Sequence, residues 1–72
     1  MPTFAERIRT LRNSKGLSQR VVGESLGINE RTYKRYEAGE FEPTATNIIK
    51  LANLFEVSAD YILGLSDNPQ RQ

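Results

Sequence analysis

Glycine punctuates this chain at short intervals, and each time a side chain that caps helices stands close by. Gly16 precedes Ser18, Gly27 precedes Asn29, Gly39 precedes Pro43 and Thr44, and Gly64 follows a run that opens at Ser58. Glycine accepts the left-handed backbone just past a helix end, and a Ser, Asn or Thr oxygen accepts a hydrogen bond from the free amides that start the next helix. A chain marked in this way builds short helices joined by tight turns. The marks predict five, near 3–14, 18–25, 29–38, 44–55 and 58–64.

Apolar spacing supports the same reading. Phe4, Ile8 and Leu11 recur at intervals of four and three, as Ile48, Leu51, Ala52 and Phe55 do in the fourth segment, which is the stripe an amphipathic helix turns towards a core. Val22 and Leu26 serve the second helix, and Tyr61, Ile62 and Leu65 are the fifth's candidates for burial. No stretch alternates apolar and polar residues for long enough to argue a strand. The predicted class is all-α, a compact five-helix domain over 1–66. The polar ending from 67 to 72 reads as a frayed tail or the start of a linker. With 72 residues there is room for one small domain only.

Gly23 breaks the scheme, because it lies inside the second helix, where glycine costs about 1 kcal/mol relative to alanine. Four residues before the turn glycine Gly27, a position without a side chain lets the next helix cross at short distance. That is the requirement of a tight helix-turn-helix formed by the second and third helices.

Composition excludes several classes. The chain holds no Cys and no His, so disulfides, thiolate metal sites and His- or Cys-based catalysis lack their parts. There is no glycine-rich phosphate loop either. The expectation is a non-enzyme with no cofactor and no metal. The opening residues are charged throughout, which is no signal peptide, and no segment nears the roughly 18 apolar residues of a membrane span. A cytoplasmic location without membrane contact is expected. Net charge is only +1, but residues 1–39 carry eight Lys or Arg against four Glu, while 40–72 carry two against five acids. The positive half contains the third helix.

Winding that helix at about 100° per residue separates two faces. Tyr33, Tyr36 and Glu37 share one arc, and the tyrosine rings supply the apolar body for packing inward. Arg31, Lys34 and Arg35 share another, roughly opposite, while Asn29 and Glu30 project from the N-terminal end. Three cations on one face make either a solvated surface or a surface for an anion. Their mixture with Asn and Glu matches base readout. Arginine grips the guanine edge by two hydrogen bonds, asparagine does the same for adenine, glutamate accepts from the cytosine amino group, and lysine neutralises phosphate.

From Leu17 to Leu65 the chain resembles the lambda-repressor-like, or Cro/XRE-type, helix-turn-helix DNA-binding domains. The motifs that carry the resemblance are "LSQ" opening the second helix, the small residue at Gly23, "LG" at the turn, "RYEAG" closing the third helix, Pro43, and "VSADYILG". The resemblance implies that the third helix reads the major groove of double-stranded DNA through Asn29, Glu30, Arg31, Lys34 and Arg35. It implies that the second lies across the backbone, with Ser18 and Gln19 at phosphate. Thr32, between the two faces, is a further candidate for phosphate. Arg12 and Glu37 resemble a family ion pair that ties the first helix to the third, a structural role. The function implied is transcriptional regulation, as a repressor occupying an operator.

Two departures from the family pattern stand out. The loop "GEFEP" is acidic where relatives are often basic, and Tyr33 replaces a smaller aliphatic residue. The acidic second half keeps a rival reading open, a protein-binding module of this fold such as an antitoxin with secondary DNA binding. One such domain reads only about four or five base pairs, too few for selectivity in a genome. A homodimer on a palindromic operator is therefore expected, its half-sites roughly 34 Å apart. Tyr61, Ile62, Leu63 and Leu65 exceed what one face of a short terminal helix can bury, and they are the candidate dimer interface.

Overall fold

A computed structural model describes residues 3–70, and among them every regular element is a helix. The five are α1 (Phe4–Ser14), α2 (Gln19–Leu26), α3 (Glu30–Glu37), α4 (Ala45–Phe55) and α5 (Ala59–Ile62). No helix of the described residues is long and apolar enough to cross a membrane.

Each helix begins where a side-chain oxygen takes up a free backbone amide. Ser18 accepts from the Val21 amide, Asn29 from Thr32, Thr44 from Asn47 and Ser58 from Tyr61. Thr3 and Glu6 form a reciprocal capping box on α1, the side-chain oxygen of each accepting from the backbone amide of the other. Such caps contribute about 0.5–2 kcal/mol each. The end of α4 is the exception to the glycine rule. Glu56 closes it in the left-handed region at φ 56°, a backbone conformation that residues other than Gly, Asn and Asp seldom adopt.

The core is built from Ile8, Val22, Leu26, Tyr33, Tyr36, Leu51, Ala52, Phe55, Val57 and Ile62, with Phe4, Leu11, Leu17, Ile28, Leu54 and Tyr61 packed around it. Gly23 lies under the α2–α3 crossing. A Cβ there would stand 3.3 Å from the Ile28 carbonyl oxygen and 3.4 Å from the Tyr33 Cβ, so the absent side chain is what permits the close approach. Across the core, Asn47 Nδ2 donates to Tyr36 Oη at 2.9 Å, joining α4 to α3. The Phe4 ring meets Tyr36 edge-on at 6.1 Å.

Over its described part the C-terminal segment meets the domain at two points. Asp67 pairs with Arg7 at 3.4 Å, and the Ser58 amide donates to the Pro69 carbonyl at 3.1 Å. Arg7 anchors this return, because its guanidinium is already held 3.9 Å over the Tyr61 ring in a buried position on α1. Of the segment expected as a tail or linker start, 67–72, Asp67 and Pro69 thus touch the domain, and the last two residues lie outside the described residues.

Candidate nucleic-acid interface

The orientation of α3 is fixed from within. Tyr33, Tyr36 and Glu37 are all buried. Glu37 is a carboxylate in the protein interior, which is unfavourable unless it is paired and hydrogen-bonded. Arg12 of α1 supplies both needs, with Nε 2.6 Å from Oε2 and Nη2 3.1 Å from Oε1. A third donor is Gln19 Nε2 of α2, at 3.2 Å from Oε1. Arg12 also donates from Nη1 to the Leu17 carbonyl at 3.0 Å. One carboxylate therefore pins three helices.

Burial alone would raise the Glu37 pKa, but the hydrogen bonds from Arg12 and Gln19, with the Tyr33 hydroxyl close by, outweigh it and hold the carboxyl below its ordinary range. The hydrogen bond to Glu37 raises the Arg12 pKa in turn. The Tyr33 hydroxyl is buried beside this pair, without a well-formed hydrogen bond of its own. Its pKa is pushed well up, first by burial and then by the neighbouring carboxylate.

With that face committed, the opposite one is left to solvent. Asn29, Glu30, Arg31 and Lys34 are exposed, and Thr32 and Arg35 are partly so. Lys34 and Glu30 lie 3.6 Å apart, one turn from each other, an exposed pair of the kind that contributes little and opens readily. Arg31 makes no ion pair among the described residues. Arg35 sits with its guanidinium 5.3 Å from the centre of the Phe41 ring. Asn29 is engaged differently from the expectation for a base reader. Its Oδ1 caps α3 through the Thr32 amide at 2.7 Å, so only its amino group is free to donate outward, and a two-bond grip on adenine would first have to release the cap.

On α2, Ser18 is the N-cap, and its oxygen is occupied by the Val21 amide. Gln19 spends one amide N–H on Glu37, which leaves the second N–H of the same group held in a defined direction at the helix's leading end. Sequence reasoning missed this bond, since it joins residues 18 apart in the chain. The adjoining loop is exposed at Glu40, Phe41 and Glu42.

The candidate dimer residues divide. Ile62 is 0% exposed, deep in the core, which corrects its assignment to a partner surface. The reason is the length of α5, a single turn over Ala59–Ile62 that brings this one side chain under the domain. Tyr61 is half covered by Arg7. Leu63 and Leu65 remain outside, at 36% and 69% exposure, so Leu65 is not among the buried residues of the fifth helix either.

A family model described as helix-turn-helix matches residues 8–62. The uncharacterized HTH-type transcriptional regulator YobD of Bacillus subtilis (strain 168) is 39% identical over 66 residues, covering 92% of this chain and 59% of YobD. The cryptic phage CTXphi transcriptional repressor RstR of Vibrio cholerae serotype O1 is 36% identical over 59 residues, covering 82% of this chain and 53% of RstR. Among solved structures, the P22 c2 repressor bound to synthetic operator 9T superposes with a TM-score of 0.84 at 27% identity, covering 92% of this chain and all of that one. The chain spans little more than half the length of the curated relatives it matches.

Proposed function

The chain belongs to the Cro/C1-type helix-turn-helix family, and from that premise we propose that it is a transcriptional repressor that binds double-stranded DNA sequence-specifically by laying α3 in the major groove. The observation that carries this reading is the division of α3. Its buried side is spent on Tyr33, Tyr36 and Glu37, so that Glu30, Arg31, Lys34 and Arg35 are presented outward, in a chain that superposes on a repressor solved with its operator. The rival protein-binding reading has no such observation behind it, since the relatives are regulators and repressors.

In this reading Arg31 and Arg35 specify base pairs, and Glu30 accepts from a base amino group once Lys34 turns to the DNA. The free amino group of Asn29 adds a single donor. Gln19, with Ser18 and Thr32 beside it, sets the helix pair against the phosphates, which fixes register without reading sequence. The protein acts in the cytoplasm, where bacterial-type operators are found, and needs no cofactor.

Arg31→Ala and Arg35→Ala each remove base discrimination of about 1–3 kcal/mol at one position. Both side chains lie on the outer face, so the thermal midpoint stays within a few degrees of the parent's. Fluorescence anisotropy against duplexes selected from a randomised pool, with every base pair then varied in turn, measures the loss. Unchanged discrimination in both variants would remove α3 from the reading role.

Pairing follows from the limited reach of one helix. The operator is a palindrome with half-sites roughly one turn of DNA apart, and the two copies meet through Leu63 and Leu65, with Tyr61 at the edge. Leu65→Glu should turn a two-to-one protein–DNA complex into a one-to-one complex in sedimentation velocity and leave the fold intact. A parent that forms only a one-to-one complex on the palindrome, even at high concentration, would overturn the dimer.

A further inference from the structure

The chain leaves α3 through a tight reversal. The Glu40 amide donates to the Arg35 carbonyl at 3.0 Å and the Gly39 amide to the Tyr36 carbonyl at 3.2 Å, with Gly39 at φ 77°. These two bonds form the Schellman closure, in which a left-handed residue folds the chain back along the helix it has just ended. The residue delivered to the flank of α3 is Phe41, whose ring centre lies 5.3 Å from the Arg35 guanidinium carbon. A guanidinium within about 6 Å of an aromatic ring is attracted by its π-face. Glu40 and Glu42 stand on either side of Phe41, yet neither pairs with Arg35. Phe41 is the partner that Arg35 has among the described residues.

We propose that Phe41 is a positioning residue for base recognition: its ring holds the Arg35 guanidinium in the orientation from which it grips a base edge. The inference rests on the reading of α3 as the recognition helix. Arginine has a long side chain with many rotamers, and a flexible arginine must lose that freedom on meeting the base. Docking on a ring before DNA arrives removes part of the loss. The ring does not compete for the hydrogen-bonding edge of the guanidinium, as a carboxylate would. A 44% exposed phenylalanine in an acidic loop thereby acquires a role, and the acidic loop need not touch phosphate.

The test uses duplexes selected from a randomised pool by the parent chain. Arg35→Ala first marks the base pair that Arg35 reads. Phe41→Leu, which keeps an apolar side chain and removes the π-face, then lowers discrimination at that base pair about two- to fivefold, the size of an exposed cation–π contact. Discrimination at the other positions is unaltered. Phe41→Tyr restores it, and in the Arg35→Ala background Phe41→Leu changes nothing further. Parent-like discrimination in Phe41→Leu, a loss spread evenly over all positions, or an equal loss in the Arg35→Ala background would each overturn the positioning role while leaving α3 as the reader. If Arg35→Ala itself alters no base preference, Arg35 is not a base reader and the inference falls with that assignment.

Discussion

Replacing Glu37 with alanine destabilises the domain by about 3–5 kcal/mol, the usual cost of removing one partner from a buried ion pair. The Glu37 side chain is 4% exposed and that of Arg12 15%. Without the carboxylate, Arg12 keeps only its bond to the Leu17 carbonyl, and a charged group stays in a largely desolvated position. Gln19 loses its acceptor as well. A domain of this size has roughly 4–11 kcal/mol of total stability, so the variant is close to unfolding, and urea titration followed by circular dichroism measures the difference.

Acid tests the same pair without changing its shape. The folded pKa of Glu37 lies below its ordinary 4.5. Its contribution is therefore complete above the unfolded value and disappears as pH falls through the folded one. The parent loses stability on acidification below about pH 4.5, and Glu37→Gln, which carries no titrating group there, loses less over that window. Glu6, whose pKa is also lowered by its bonds to Thr3, titrates in both proteins and cancels from the comparison. Identical acid profiles for parent and Glu37→Gln would mean that the carboxylate is not what holds the three helices.

What could be read from the sequence was local or periodic. Ser18, Asn29, Thr44 and Ser58 cap helices through amides three residues away, so the side chain and its partner sit in one short window. The inward face of α3 followed from angular spacing, because Tyr33, Tyr36 and Glu37 fall on one arc whatever they later touch. The capping box of Thr3 and Glu6 is equally local, a T-x-x-E pattern within one turn. What escaped depended on distant partners. Arg7 reads as a surface residue until Tyr61 is folded over it, and Asn47 reads as polar surface until Tyr36 is placed beside it. Ile62 looked available because four apolar side chains crowd one short segment; only the single-turn length of α5 decides which of them goes inside.

The same dependence on a distant partner makes Tyr36 the second large effect. Its ring joins α1 through Phe4 and α4 through Asn47, and it lies on the helix whose outer face reads DNA in the function proposed above. Tyr36→Ala deletes that junction and destabilises by about 3–5 kcal/mol, as large-to-small changes of buried aromatic residues do. Tyr36→Phe keeps the ring and removes only the hydroxyl. It leaves the buried Asn47 amino group without its acceptor, at a cost of about 1–3 kcal/mol. The order of thermal midpoints is therefore parent, Tyr36→Phe, Tyr36→Ala. Pairing Tyr36→Phe with Asn47→Ala should cost less than the two changes summed, because the second change removes the donor that the first had orphaned. Strict additivity would show that the hydroxyl and the amide do not depend on each other, and a Tyr36→Ala midpoint close to the parent's would place the ring outside the core. DNA affinity offers an independent readout. Tyr36→Phe, still folded at room temperature, keeps the packing that orients α3 and binds as the parent does, which separates the stability held inside this helix from the recognition carried on its other face.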